Sequence, residues 1–191
     1  MSGVLAGLIG SFAPVATSFE PIATLTGNGS ATTLTFSSIP QTYQHLQIRF
    51  ISRRNVGGNA GNNFLYLRFN GSSSPVYTSH KLTGNGGTAT STSDGVDANE
   101  IYLPSATAGS AQATGEMSVG ILDIHDYSSS SKNTTTRYFG GNDSNGSFAG
   151  YVHLASGLYR STSAISSISI IDSSSYAFTS SSTFALYGIK G

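Results

Sequence analysis

The sequence predicts an all-β fold: an antiparallel β-sandwich or jelly roll with long Gly/Ser/Thr-rich loops and an N-terminal arm. Three observations lead to this prediction. Short segments of alternating polar and apolar residues recur at roughly 10–20 residue intervals. Clusters of Gly, Ser, Asn and Pro separate them, which is typical of turns. No stretch has the apolar period of a convincing helix.

The clearest pair of strands lies at residues 33–36 and 45–52. In the second segment, Leu46, Ile48 and Phe50 alternate with polar residues, so one face is predicted to be buried. Pro40 fixes its own φ and disfavours the helical region for Ile39. A helix is therefore not expected to run through the connection.

Ten segments share this character and are the predicted strands: residues 19–25, 32–36, 45–52, 64–69, 100–103, 116–124, 134–139, 148–154, 165–170 and 184–189. Segment 116–124 is apolar on both faces, with Val119 and Ile121 on one and Leu122 and Ile124 on the other. This pattern predicts a central strand. Pro21 places the first segment at a sheet edge.

The connections are predicted from their small and polar residues. Residues 83–98 are rich in Gly, Ser and Thr and are predicted to form a long exposed loop. Residues 55–63, 105–114 and 140–146 are predicted to be further loops, and residues 156–160 a corner. Residues 74–82 fit a short helix and an extended crossing equally well.

The first 18 residues are apolar and rich in glycine. They lack the positively charged start of a signal peptide and are too short to span a bilayer. We interpret residues 1–18 as an arm and residues 19–191 as a single domain. The arm either packs on its own core or docks onto a neighbouring subunit. The residues predicted to dock are Val4, Leu5, Leu8, Ile9 and Phe12.

Charge is scarce in this chain. Of its 191 residues only 9% are charged, and the formal net charge is zero. A nucleic-acid partner would need clustered Lys and Arg, which the sequence lacks. No cysteine is present, so disulfides and thiolate metal sites are excluded. A surface of Ser, Thr, Asn and Gly with little charge repulsion favours self-association in a permanent assembly.

The segment with the most reactive side chains is residues 122–127. Strand alternation predicts that Asp123, His125 and Tyr127 share one face and that Asp126 lies on the other. A histidine beside carboxylates can act as a general base or a metal ligand. No serine stands out as a nucleophile, and the other histidines are scattered: His45, His80 and His153. We therefore predict no catalytic, metal or cofactor site.

Three weaker signals each have a structural explanation. Asp94, Asp97 and residues 142–145 are candidates for calcium binding, but none has the EF-hand spacing. Turn chemistry explains the matches to the N-glycosylation pattern at Asn28, Asn70, Asn133 and Asn145. Six tyrosines that could stack on sugars fit packing in the core or on a sheet face: Tyr77, Tyr102, Tyr138, Tyr151, Tyr159 and Tyr176.

Four phrases carry a resemblance to a known group: FSSIPQTYQHLQIR at residues 36–49, LRFNG at 67–71, SGLYR at 156–160 and FALYGIKG at 184–191. As a set they resemble small virion structural proteins of tailed bacteriophages, especially cyanophages and marine phages. The resemblance covers residue 19 to the C-terminus and leaves the arm outside.

The resemblance implies a non-enzymatic β-sandwich on the outer surface of a virion, as a homotrimer. Both a decoration role and a tail role fit the resemblance. A capsid decoration (cement) protein that binds the major capsid protein or another virion protein is favoured because the chain is short, lacks a fibre-shaft repeat and carries an apolar arm. Neither nucleic acid nor membrane is expected as a partner. The alternative is a tail-fibre or receptor-binding component that recognises host glycans. A glycan depolymerase is a third hypothesis, but no paired carboxylates are evident in the sequence.

Overall fold

A computed structural model describes residues 18–56, 63–143 and 150–191, and these ranges contain twelve β-strands and no helix. The strands are β1 Phe19–Thr26, β2 Thr33–Phe36, β3 His45–Ser52, β4 Leu65–Phe69, β5 Tyr77–Gly84, β6 Ala89–Ala98, β7 Ile101–Leu103, β8 Ser118–His125, β9 Thr134–Asn142, β10 Tyr151–Tyr159, β11 Ile168–Asp172 and β12 Thr183–Ile189. Within the described ranges, no helix has the length and apolarity needed to cross a membrane. The predicted docking residues lie outside these ranges: Val4, Leu5, Leu8, Ile9 and Phe12.

The strands form two antiparallel sheets. The larger has eight strands in the order β1-β12-β3-β8-β9-β10-β5-β6, and the smaller has four in the order β2-β11-β4-β7. The two sheets bury one shared apolar core. The predicted all-β sandwich is therefore confirmed, with β8 central and β1 at an edge. The narrower jelly-roll assignment stays a prediction.

Alternation along each strand builds the core. Leu46, Ile48 and Phe50 of β3 point inward and are at most 6% exposed. Leu122 and Ile124 of the neighbouring β8 are buried beside them. Fully burying each such side chain contributes about 1.5–3 kcal/mol, which makes this face the main source of stability.

A cluster of aromatic rings packs within the core. The ring of Phe184 in β12 lies 5.2 Å from the ring of Phe50 and 5.5 Å from the ring of Phe178. Phe178 and Phe184 are fully buried. Offset and edge-to-face contacts of this kind add to the stability gained by burial alone.

A buried ion pair holds the loop after β3 to the end of β11. Arg54 Nη1 lies 3.5 Å from Asp172 Oδ1, and both side chains are almost fully buried. Asp172 Oδ1 also accepts hydrogen bonds from the backbone N–H groups of Ser174 and Tyr176, at 2.9 and 3.1 Å. The Arg54 guanidinium lies over the Tyr176 ring at 4.9 Å. Removing one charge would leave the other buried without its partner.

The predicted exposed loop at residues 83–98 is wrong. Most of it is β6, which pairs with β5 to form a hairpin. Asn85 makes the turn, because its Oδ1 accepts the N–H groups of Gly87 and Thr88 at 3.0 and 2.7 Å. β6 is an edge strand, so it is held by backbone hydrogen bonds and needs few apolar side chains. Residues 77–82 are extended, which excludes the helix alternative.

The predicted corner at residues 156–160 is also wrong, because β10 continues through it to Tyr159. Gly157 allows the two sheets to approach closely at this point. A Cβ there would lie 2.6 Å from Thr136 Oγ1 and 2.7 Å from Ile101 Cγ2. The glycine therefore marks a packing contact within a strand, not a turn.

Candidate interaction surface

The outer face of the large sheet carries a line of large apolar side chains. Ile121 of β8 lies opposite Phe139 of β9, and Phe139 lies opposite Leu154 of β10. Leu154 in turn lies opposite Leu82 of β5. Directly paired residues in antiparallel strands point to the same face, so these four side chains form a continuous row. We call this row the ridge.

A second row runs parallel to the ridge, two residues further along each strand. It consists of Ile51, Val119, Gly141, Val152 and Gly84, each opposite the next across the sheet. Two members are glycines and two are valines, so the row forms a depression beside the ridge. A cavity of about 810 Å³ opens there and is also lined by Tyr151 and Met117. We call this row the trough.

The ridge and trough together make an exposed apolar patch. Their seven apolar side chains are each between 40% and 56% exposed, whereas Leu122 and Tyr138 on the opposite face are about 1% exposed. The patch spans five strands, or roughly 20 Å by 10 Å plus side-chain width, from ordinary strand spacings. Single exposed apolar residues are normal, whereas a contiguous patch of this kind is a candidate interaction site.

Charged residues beside the patch are engaged within the chain. Arg49 lies over the rings of Phe19 and Tyr187, at 5.0 and 5.7 Å. Its Nε–H donates to Gln47 Oε1 at 2.7 Å, and Gln47 Nε2–H donates to Asp123 Oδ1 at 2.7 Å. Arg49 is paired with Ile121 at the β3 end of the ridge and lines the same cavity, so its charge stands at the border of the apolar patch and not between the two rows.

The predicted arrangement of residues 122–127 is wrong in part. Asp123 and His125 share the outer face of β8, but Tyr127 is fully buried and its hydroxyl donates to the carbonyl of Pro40. The strand ends at His125, and Asp126 adopts a positive φ of 52°. This turn breaks the alternation from which the shared face was inferred.

Two histidines do come close at the end of β8. The rings of His45 and His125 lie 5.2 Å apart, and the Asp126 N–H donates to His45 Nδ1 at 3.0 Å. Lys132 Nζ donates to Asp126 Oδ2 at 3.0 Å and holds the pKa of that carboxyl below its ordinary value. Among the described residues, no three His, Cys, Asp or Glu side chains are placed to hold a metal ion.

A buried histidine makes a contact that sequence reasoning missed. His153 Nε2 lies 2.9 Å from Ser105 Oγ, and His153 Nδ1 lies 2.9 Å from Thr83 Oγ1. Ser105 is fully buried and His153 is 3% exposed. Burial lowers the pKa of His153 to about 4, so the ring is neutral at pH 7. Because substrate and water cannot reach this serine, the contact is structural. No sequence spacing connects residues 105 and 153.

Residues proposed above for calcium binding and glycosylation have partners within the chain. Asp94 pairs with Lys81 and Asp97 pairs with Arg160, so both carboxylates are neutralised by cations. Asn28 caps its own turn, because its Oδ1 accepts the N–H groups of Ser30 and Ala31 at 2.9 and 2.7 Å. The turn-chemistry interpretation is confirmed there. Residues 144–149 lie outside the described ranges.

The tyrosine prediction is confirmed for three core residues, since Tyr77, Tyr138 and Tyr159 are at most 5% exposed. Tyr151 differs from them. It lines the trough and stacks on His153, with ring centroids 5.9 Å apart. An aromatic face therefore borders the patch.

Comparisons with protein-family models, with curated proteins and with solved structures found no match to this chain.

Proposed function

We propose that this chain is a non-enzymatic structural protein of a tailed-phage virion, and more narrowly a decoration protein on the outer surface of the capsid. The exposed patch of ridge and trough is the observation that carries the proposal. A broad apolar face on a chain with zero net charge suits a subunit of a permanent assembly. The virion context rests on the phrases at residues 36–49, 67–71, 156–160 and 184–191.

Two features of the described residues support a role without catalysis. The Ser105–His153 contact is buried, and its histidine has a pKa too low for a general base near neutral pH. Asp126, whose Oδ1 lies 3.8 Å from His45 Nδ1, is engaged by Lys132.

The proposed mechanism is mechanical. Each rigid sandwich is attached to the major capsid protein through its arm, and copies meet around a symmetry axis as a homotrimer. Once one copy is bound, binding of the next is effectively intramolecular. Many weak contacts then hold the shell more tightly than any single contact would.

The test is deletion of residues 1–18. The truncated protein should remain folded, because β1 begins at Phe19 and the described core draws on later residues. It should no longer sediment with capsids of the phage that carries the gene. A matched full-length control replaces five polar or small arm residues, Ser2, Gly3, Gly7, Gly10 and Ser11, with Ala and keeps the apolar ones. Normal capsid binding by the truncated protein would contradict the role of the arm.

The tail-fibre alternative has one observation in its favour. Tyr151 and Phe139 border the trough, and aromatic side chains at a surface cavity suit contact with sugar rings. This alternative predicts that the purified protein adsorbs to host cells and that Tyr151→Ala reduces adsorption. A decoration protein has no need to bind cells, so the two roles are separable.

A further inference from the structure

The ridge and trough are complementary to each other in shape. On β8 the ridge residue is Ile121 and the trough residue is Val119. On β9 they are Phe139 and Gly141. The same order of sizes holds on the next two strands, with Leu154 beside Val152 and Leu82 beside Gly84. On all four strands the larger residue belongs to the ridge.

This pattern has a symmetry consequence. Consider a two-fold axis that lies in the plane of the face, runs across the strands, and passes between the two rows. The rotation exchanges ridge and trough, so each ridge would enter the trough of the second copy. Phe139 would then fill the space over the other copy's Gly141, and Ile121 would pack on its Val119. A self-complementary surface is what a two-fold interface requires.

We propose that a second copy of this chain covers the outer face of the large sheet through this two-fold contact. Two sheets would pack face to face, as the layers of a β-sandwich do. The inference goes beyond the proposed function, because it concerns the isolated chain and holds whether or not the chain belongs to a virion.

Charge also favours an identical partner. Arg49 is held over Phe19 and Tyr187, and Asp123 accepts a hydrogen bond from Gln47. The charged residues that line the cavity, Arg49 and Asp143, stand at its border, so among the described residues no charge lies between the ridge and the trough where two copies would meet. The formal net charge of zero also leaves little repulsion between two copies of the chain.

The size of the apolar patch also agrees with a second copy of this chain as the partner. The patch covers on the order of 300 Å², about the apolar centre of an interface that buries roughly 800 Å² on each partner. The next row along the strands supplies a polar rim, with Gln47, Asp123, Arg137, Ser156 and His80 opposite one another. An apolar centre within a polar rim is the usual anatomy of a protein interface.

The contact predicts an even number of copies in the assembly. In combination with the proposed three-fold contact, it would join two trimers. The arm is left to bind the shell, so loss of the arm and loss of the sheet contact have separate consequences.

The test introduces opposite charges into two separate variants of the full-length chain. Sedimentation velocity over a range of protein concentrations measures the self-association of each. Ile121→Glu and Val119→Lys each place an unpaired charge in the proposed interface. Each should weaken self-association by at least about 30-fold, as loss of a central contact does. In an equimolar mixture, the introduced carboxylate of one variant would face the introduced ammonium of the other, and association should recover by at least about tenfold.

Val96 provides the matched control. It is 69% exposed and lies on β6, several residues away from the ridge row. Val96→Glu and Val96→Lys should leave self-association unchanged. Far-UV circular dichroism of each variant checks that the fold persists, and Phe139→Ser tests the same contact without adding a charge.

Three results would overturn the proposal. The first is a wild-type chain that stays monomeric at high concentration, as expected if a glycan or a capsid segment covers the face instead. The second is unchanged self-association in Ile121→Glu and Phe139→Ser, since another surface would then join the copies. The third is failure of the mixture to recover when both variants are folded, which would exclude the two-fold arrangement.

Discussion

Phe139 and Phe184 offer a matched test of the two faces of the large sheet. Both are phenylalanines within strands of the same sheet, but Phe139 is 56% exposed on the outer face and Phe184 is fully buried. Replacing each with alanine removes the same atoms from opposite sides of one layer. The difference in stability between the two variants therefore measures how differently the two faces are packed.

The expected losses of stability follow from how deeply each ring is buried. Phe184→Ala leaves a cavity between the rings of Phe50 and Phe178, and large-to-small changes of this kind cost about 3–5 kcal/mol. Phe139 is a little under half buried, so Phe139→Ala should cost no more than about 1.5 kcal/mol. Against a total stability of about 5–15 kcal/mol, only the first change is severe.

Urea denaturation followed by circular dichroism measures both values. Low protein concentration keeps self-association from contributing to the apparent stability of the wild type. Equal losses in the two variants would refute the assignment of an exposed outer face. A loss for Phe139→Ala that appears only at high concentration would instead agree with burial of this residue between two copies.

Two further predictions concern buried polar groups. Asp172→Ala should lower the free energy of unfolding by about 3–5 kcal/mol, because it leaves the Arg54 charge buried without its partner. The double variant Asp172→Leu/Arg54→Met should recover much of that loss, and urea denaturation measures both values. His153 is neutral in the folded state, with a pKa of about 4, and has an ordinary pKa of about 6.5 when unfolded. The unfolded chain binds more protons between these values, so stability is full above about pH 6.5 and should fall by about 3 kcal/mol as the pH drops to about 4. Urea denaturation at several pH values should show a flatter dependence in His153→Gln, and an unchanged slope would contradict the assignment.

The strands with strict alternation were predictable from sequence. β3 matches its predicted bounds because Leu46, Ile48 and Phe50 face the core while their neighbours do not. β12 is also close to its prediction. In both strands the local pattern and the tertiary packing favour the same structure, so the pattern in a single sequence is enough to predict the strand.

Two elements could not be predicted because tertiary contacts decide them. β6 lacks an apolar face and exists as a strand because β5 supplies hydrogen-bond partners. Gly157 in β10 signals a turn locally, yet it serves close packing against Ile101 from the other sheet. Neither the β5–β6 pairing nor the Gly157 contact produces a periodic pattern in the sequence.

The interaction surface was visible in part. The apolar residues on both faces of β8 predicted a central strand, and they were also the available signal that the outer face is apolar. What the sequence could not give was the register that aligns Ile121 with Phe139, Leu154 and Leu82. The ridge depends on three strand pairings, and the position of β5 beside β10 does not follow from chain order.

The most direct test of the proposed function is the copy number of this chain in purified virions, measured by quantitative mass spectrometry against the major capsid protein. A decoration protein should be present at a number comparable to that of the major capsid protein. A copy number far below it would contradict the decoration role and favour a tail or vertex component, and absence from the virion would contradict the structural role altogether.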